Sequence, residues 1–61
     1  MNRKQKLALF VGCYKADFSA DFYEESPSGS FHRGVMLGYR SALVDLGLLS
    51  TYEKWKSEQE E

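Results

Sequence analysis

The segment Glu25 to Ser30, with the sequence ESPSGS, is the feature that most restricts the fold of this chain. It combines Pro27, Gly29 and three serines, which are residues that favour turns and interrupt regular structure. It is the one clear connector in the sequence. We therefore predict two main segments joined by a turn, with Ser28 or Ser30 as the side-chain N-cap of the second segment.

The segment before the turn, from Arg3 to Tyr23, has apolar residues at the spacing of one helical face. At about 100° per residue they form a single stripe, which favours a long amphipathic helix. The continuous apolar run Leu7 to Tyr14 leaves a strand over residues 6 to 14 as the alternative, because a short apolar run cannot be assigned by period alone. The stripe consists of Leu7, Phe10, Val11, Tyr14, Phe18 and Phe22.

The segment after the turn carries a second apolar stripe and stops at a glycine. Gly47 is expected to adopt the left-handed conformation that ends many helices. In such an end the residue after the glycine often packs back on the helix, so we expect Leu48 to contact Leu43. The stripe consists of Phe31, Val35, Tyr39, Ala42, Leu43 and Leu46.

A third, shorter helix is indicated by Ser50 and Glu53, which have the spacing of a capping box. We expect this helix to run from Thr51 to about Gln59, with residues 57 to 61 as a frayed acidic tail. The sequence thus predicts one all-α domain, residues 1 to 61. Its fold is a small helical hairpin of two longer helices joined by a Ser/Pro/Gly turn, plus a short C-terminal helix.

The length of 61 residues leaves little material for a core. A chain this short buries only roughly 60% of the surface that its unfolded form exposes. A single cysteine cannot form an internal disulfide, and no zinc-binding set of residues is present, so oligomerisation is the expected source of added stability. We predict a homodimer about a two-fold axis or a higher homo-oligomer. The self-interface is predicted on the second apolar side of the helices, at Leu9, Cys13, Leu37 and Val44.

Small residues recur at four-residue spacing in both main segments. Such a ridge lets another helix approach closely, because the distance between helix axes depends on the side chains at the contact. The alternative is that small residues fall at this spacing by chance. The predicted close-packing residues are Ala8, Gly12, Ala16, Ala20, Gly34, Gly38 and Ala42.

Acidic and aromatic residues are the candidates for binding a partner. Asp17, Asp21 and Glu25 are spaced four apart, and like charges at that spacing destabilise a helix, so a basic partner surface or a cation could favour them. A row of solvated carboxylates is the alternative. The predicted partner-binding residues are Asp17, Asp21, Glu25, Tyr23, Tyr52 and Trp55.

Residues that could carry chemistry are few. His32, the single histidine, could titrate near neutral pH or act as a base, but a packed or capping role is the alternative. Cys13 reads as a small buried apolar residue. The sequence contains no phosphate-binding loop, nucleophile elbow or paired metal-ligand spacing. We therefore expect no catalytic residue, no metal and no cofactor.

The apolar run Leu7 to Tyr14 is far shorter than the roughly 20 residues that cross a bilayer, and no signal-peptide cleavage pattern follows it. These features predict a cytoplasmic protein, or one of the host cytoplasm if a phage encodes it. The net charge of −1 argues against nucleic acid as a partner. Membrane binding is likewise not expected.

The expected function is a noncatalytic protein-interaction or inhibitor module, acting as a homodimer that binds and modulates a larger protein. A phage- or prophage-encoded inhibitor of a host protein is one form of this hypothesis. The alternatives are a small dimeric DNA-binding regulator, a peripheral membrane-binding protein and a metal-dependent protein. The DNA-binding alternative depends on five basic residues, Arg3, Lys4, Lys6, Arg33 and Arg40.

Overall fold

The computed structural model describes all 61 residues and contains three helices. They are α1 (Arg3–Phe22), α2 (Gly29–Asp45) and α3 (Leu49–Gln59). The predicted all-α hairpin with a short C-terminal helix is confirmed, and the strand alternative for residues 6 to 14 is wrong because these residues lie within α1. None of the three helices is long and apolar enough to span a membrane.

The turn between α1 and α2 is closed around Ser26 and Gly29. The Ser26 N–H donates to the carbonyl oxygen of Tyr23 at 3.0 Å, and the Gly29 N–H donates to that of Ser26 at the same distance. A Cβ atom at position 29 would lie 2.6 Å from the carbonyl oxygens of Tyr23 and Glu24, so this close approach requires glycine. Ser28 lies at the N-cap position of α2 but its side chain forms no capping bond, so the predicted serine side-chain cap is wrong.

The end of α2 follows the predicted pattern. Gly47 has a φ of 69°, and its N–H donates to the carbonyl oxygen of Val44 at 3.0 Å. The Leu48 N–H donates to the carbonyl oxygen of Leu43 at 2.8 Å. These two bonds form a Schellman motif, which satisfies carbonyl groups that the end of a helix otherwise leaves unpaired.

The first turn of α3 differs from the prediction. α3 begins at Leu49, because the Leu48 carbonyl oxygen already accepts from the Tyr52 N–H at 2.9 Å. Ser50 therefore lies inside the first turn, and the predicted Ser50–Glu53 capping box is wrong. A capping box does occur at the start of α1, where Asn2 Oδ1 accepts from the Gln5 N–H at 2.8 Å and Gln5 Oε1 accepts from the Asn2 N–H at 3.0 Å.

The core lies where the three helices meet and is small. Its cluster of buried apolar side chains is Phe10, Cys13, Leu43 and Tyr52. The rings of Phe10 and Tyr52 pack edge to face with centroids 5.6 Å apart, and the ring of Trp55 lies 5.7 Å from that of Phe10. α3 is thus held against α1 largely by aromatic packing.

The buried face of α1 is not the predicted apolar stripe. α1 buries Phe10, Cys13, Ala16 and Asp17, and of these only Phe10 belongs to that stripe. The helix is rotated because Tyr39 of α2 packs against the small residue Gly12 and because α3 contacts the side of α1 that carries Asp17. Large apolar side chains of both predicted stripes are therefore exposed, namely Leu7, Val11, Phe18, Phe22, Phe31, Val35 and Leu46.

Candidate functional site

A polar cluster around Asp17 joins all three helices. Asp17 Oδ2 accepts hydrogen bonds from Tyr52 Oη at 2.7 Å, Arg40 Nη2 at 3.0 Å and Lys56 Nζ at 3.2 Å. Asp17 Oδ1 accepts a further bond from Arg40 Nε at 3.2 Å. Arg40 Nη1 in turn donates to Glu53 Oε1 at 2.7 Å. These five residues, which we call the Asp17 cluster, carry two positive and two negative charges.

The protonation states in the Asp17 cluster follow from its geometry. Burial alone would raise the pKa of Asp17, but the hydrogen bonds from Tyr52, Lys56 and Arg40 outweigh it and lower that pKa below its ordinary value. Burial and the neighbouring Asp17 raise the pKa of Tyr52 far above the ordinary value of a tyrosine. The hydrogen bond to Glu53 raises the pKa of Arg40. Asp17 is therefore an anion and Tyr52 a neutral donor at neutral pH.

The bonding within the Asp17 cluster indicates a structural role. Each oxygen of Asp17 already accepts from a donor of the same chain, and the Arg40 guanidinium also lies 5.9 Å from the centre of the Tyr52 ring. The nearby Cys13 thiol is buried, and burial raises its pKa. A protonated thiol is a poor nucleophile. No group of three or more His, Cys, Asp or Glu side chains is placed to hold a metal ion.

A groove of about 700 Å³ lies beside the Asp17 cluster. Its charged lining side chains have both signs. Three of them, Arg33, Arg40 and Lys56, are basic, and four, Asp17, Asp21, Glu24 and Glu60, are acidic. Because charges of both signs line the groove, its lining does not favour an anion or a cation.

The second surface of interest is apolar. We define the open face as five apolar side chains of α1 and α2 that remain exposed on the hairpin: Val11, Phe22, Phe31, Val35 and Leu46. Phe22 and Phe31 are the most exposed of these, at 70% and 68%. Large apolar side chains of this kind are normally the ones that a protein buries.

Aromatic rings connect the two helices at the turn end of the open face. The ring of Phe22 lies 4.8 Å from that of Tyr23, which stacks on His32 at 4.4 Å. His32 in turn lies 5.3 Å from the ring of Phe31. On the other side of Phe22, its ring stacks with that of Phe18 at 6.3 Å. The exposed aromatic residues thus form one continuous patch.

The open face lies on the side of α2 that α3 does not cover. α3 contacts α2 through the hydrogen bond that Arg40 donates to Glu53. Since each residue turns a helix by about 100°, Arg40 projects roughly 140° away from Val35 and only about 60° away from Leu37. Val35 and Leu37 therefore project from opposite sides of α2, and Leu37 is on the side of α3.

The predicted partner-binding residues fall into three groups by exposure. Asp17 and Tyr52 are buried, at 8% and 0% exposed, so their prediction as a partner-binding surface is wrong. Their burial depends on the hydrogen bond between them, which no local pattern in the sequence predicts. Trp55 is half-buried and packs its ring against Phe10 and Tyr14. The remaining three, Asp21, Tyr23 and Glu25, are exposed.

The predicted self-interface is divided by the fold. Cys13 is fully buried and Leu9 is half-buried against the core, so they cannot form a surface for a second copy. Leu37 and Val44 are exposed. The reason is that the side of α1 taken for a second face is the side on which α1 contacts the rest of the chain.

The predicted small-residue ridges have different environments. A Cβ atom at Gly12 would lie 2.7 Å from Tyr39 Oη, so this position does allow a close approach between α1 and α2. Ala16 is buried and Ala20 is half-buried, whereas Ala8 is exposed. Cβ atoms at Gly34 and Gly38 would have no neighbour within 4 Å, and Ala42 is half-buried, so α2 does not use its glycines for packing within the chain.

Sequence reasoning missed both the Asp17 cluster and the open face. One signal was available for the cluster, because Asp17 follows Phe10 by seven residues and Cys13 by four and therefore shares a helical face with them. The partners Arg40 and Lys56 lie 23 and 39 residues further along the chain, and no local pattern connects them to Asp17.

The basic residues proposed for DNA contact are not gathered into one free set. Arg40 is bound by Asp17 and Glu53, so it is not available to phosphate groups. The other four, Arg3, Lys4, Lys6 and Arg33, belong to two different helices. DNA binding remains a prediction, with one fewer residue to support it.

No protein-family model, curated protein or solved structure matches this chain. The function must therefore be inferred from its own surfaces. The Asp17 cluster is satisfied within the chain, whereas the open face has no partner. The open face is for this reason the candidate functional site.

Proposed function

We propose that this protein is a noncatalytic protein-interaction module that binds through the open face. The observation that supports this is the continuous exposed patch of Phe22, Tyr23, His32 and Phe31 with the neighbouring aliphatic residues. Monomeric proteins rarely expose large contiguous apolar patches, and those that exist are often binding surfaces. A patch of this kind gains free energy when a partner removes it from water.

The composition of the open face suits a protein partner. Aromatic residues are enriched in the buried centres of protein interfaces, where they supply much of the binding energy. Phe22 packs edge to face on Tyr23 and Phe31 packs edge to face on His32, and these contacts restrict the two rings before a partner arrives. Side chains that are already ordered lose less entropy on binding.

The Asp17 cluster supports this function from the opposite side of the hairpin. Tyr52 and Lys56 of α3 each donate a hydrogen bond to the Asp17 carboxylate on α1, and Arg40 of α2 donates two more to it and one to Glu53 of α3. α3 is thereby fixed away from the open face. The arrangement of the three helices and the binding of a partner thus depend on different sides of the molecule. A larger target protein and a phage origin remain predictions.

A photocrosslinking experiment tests this function in the cells that make the protein. Benzoylphenylalanine in place of Phe31 should yield a specific crosslinked protein band, because this position lies on the open face. The matched control carries the same residue in place of Ser57, which is exposed on α3. Equal crosslinking from both positions, or none from Phe31, would contradict the proposal.

A further inference from the structure

We infer that the partner of the open face is a second copy of this chain, packed face to face about a two-fold axis. This inference rests on the proposed function, and it names the partner for that surface. Homodimers with two-fold symmetry are the commonest oligomers, and they use the same patch on both copies. Two hairpins in this arrangement would form a four-helix core.

This chain exposes more surface than is expected of a folded monomer of its mass. A folded monomer of 7.0 kDa is expected to expose about 4,000 Å² of surface. This chain exposes 4623 Å², an excess of roughly 600 Å². Each partner in a standard protein interface buries about 800 Å². The excess is therefore of the size that one copy would lose in a small dimer.

The chain has few internal interactions that could stabilise it alone. Seven of the 61 residues are buried, and the apolar cluster has four members. The single cysteine excludes an internal disulfide. Chains of this size usually need an added staple or an oligomer. A second copy is available whenever the chain is made, so it can supply this stability continuously, as an occasional partner cannot.

The surface around the open face suits a second copy in both shape and charge. A Cβ at Gly38 would meet no atom within 4 Å, so another helix can approach α2 closely there. Helical spacing places Lys4 and Lys15 on this side of α1 and Asp45 at its edge on α2. A two-fold arrangement that sets α1 of one copy against α2 of the other, with both turns at the same end, brings Lys4 of one copy towards Asp45 of the other.

The decisive experiment measures the mass of the purified protein by light scattering over a concentration series, with two matched variants. Val35→Glu and Leu37→Glu make the same chemical change on opposite sides of α2, at residues that are 39% and 52% exposed. The wild type and Leu37→Glu should have twice the chain mass of 7.0 kDa. Val35→Glu should raise the dimer dissociation constant by at least about 100-fold, because it buries a charge.

A folded wild-type monomer at every concentration would overturn the inference, and so would a dimer that Leu37→Glu dissociates and Val35→Glu does not. If Val35→Glu does not fold, the thermal midpoint of the wild type decides. A midpoint that rises with protein concentration supports the dimer, and a constant midpoint overturns it.

The light-scattering and crosslinking experiments distinguish a failure of the dimer from a failure of the protein-interaction function. A wild-type monomer whose Phe31 position crosslinks to another protein overturns the second copy but leaves the protein-interaction function. A monomer without any crosslink overturns both.

Discussion

The two sides of the hairpin reverse the usual distribution of residues. On the side that faces α3, the carboxylate of Asp17 is 8% exposed, whereas on the open face the ring of Phe22 is 70% exposed. The Asp17 side is buried because Tyr52, Arg40 and Lys56 supply the hydrogen bonds that its charge requires. Which face of a helix is buried thus depends on what its neighbours can offer, as well as on its hydrophobicity.

The two sides of the hairpin therefore have different roles. A buried charge that is fully bonded fixes one arrangement of three helices, because no other arrangement supplies the same donors. The open face contributes little to that arrangement and is free to bind. Changes on the Asp17 side should therefore alter the stability of each chain, whereas changes on the open face should alter association and, through it, only the stability that the second copy adds.

The largest effect is expected from removing the carboxylate. Asp17→Ala leaves Arg40 and Lys56 without their shared partner and should lower the free energy of unfolding by about 3 kcal/mol, as for other broken buried ion pairs. Urea unfolding followed by circular dichroism measures it. The control is Asp21→Ala, an exposed carboxylate on the same helix, which should change stability by about 0.5 kcal/mol or less. Equal effects would contradict the contrast.

Acid should weaken the same side through protonation of Asp17. Because the pKa of Asp17 is lowered in the folded chain, its stabilising contribution is complete above its ordinary pKa of 3.8 and is lost as the pH falls through the lower folded value. The free energy of unfolding should therefore decrease below about pH 4. Asp17→Asn should show a flatter acid dependence than the wild type. An unchanged acid dependence would mean that other carboxylates are responsible.

A smaller effect is expected from one hydroxyl group. Tyr52→Phe removes the 2.7 Å bond to Asp17 but keeps the ring that packs on Phe10. The expected loss is about 1 to 2 kcal/mol, since a buried acceptor loses one of its donors. Thermal unfolding measures it, with Tyr23→Phe as the control because Tyr23 is exposed. A loss of stability no larger than that of the control would show that the hydrogen bond from Tyr52 to Asp17 does not stabilise the fold.

The smallest effect is expected at the glycines of α1 and α2. Gly34→Ala should stabilise the fold by about 0.5 to 1 kcal/mol, because alanine favours a helix and a Cβ at this position meets no neighbour within 4 Å. Gly12→Ala should give less or reverse the sign, since its Cβ would lie 2.7 Å from Tyr39 Oη. Equal stabilisation by the two variants in thermal unfolding would show that the Tyr39 side chain can move away from a Cβ atom at position 12 without a cost in stability.

Features that depend on neighbouring residues in the sequence were predictable. The end of α2 at Gly47 and the turn at ESPSGS follow from local backbone preferences, and the three helices follow from apolar spacing. The rotation of α1 was not predictable, because Phe18 and Phe22 fit a core stripe as well as Phe10 does. Only the positions of Tyr39 and α3 decide between them.

The candidate site was less predictable than the fold. Asp17 and Tyr52 were expected at the surface because their bond joins residues 35 positions apart. The open face was missed because apolar spacing assigned its residues to the core. Apolar spacing shows that a side chain can be buried, but the tertiary contacts of the chain determine whether it is.

The central claim is that two copies meet through the open face. Isotope-filtered nuclear Overhauser measurements on a mixture of labelled and unlabelled chains test it directly, because they detect contacts between copies only. The account predicts contacts between the ring of Phe22 in one copy and the ring of Phe31 in the other, and between the methyl groups of Val11 in one copy and those of Val35 in the other. Contacts between copies that involve Leu37 and Val44 instead, or none at all at concentrations where the chain is folded, would contradict it.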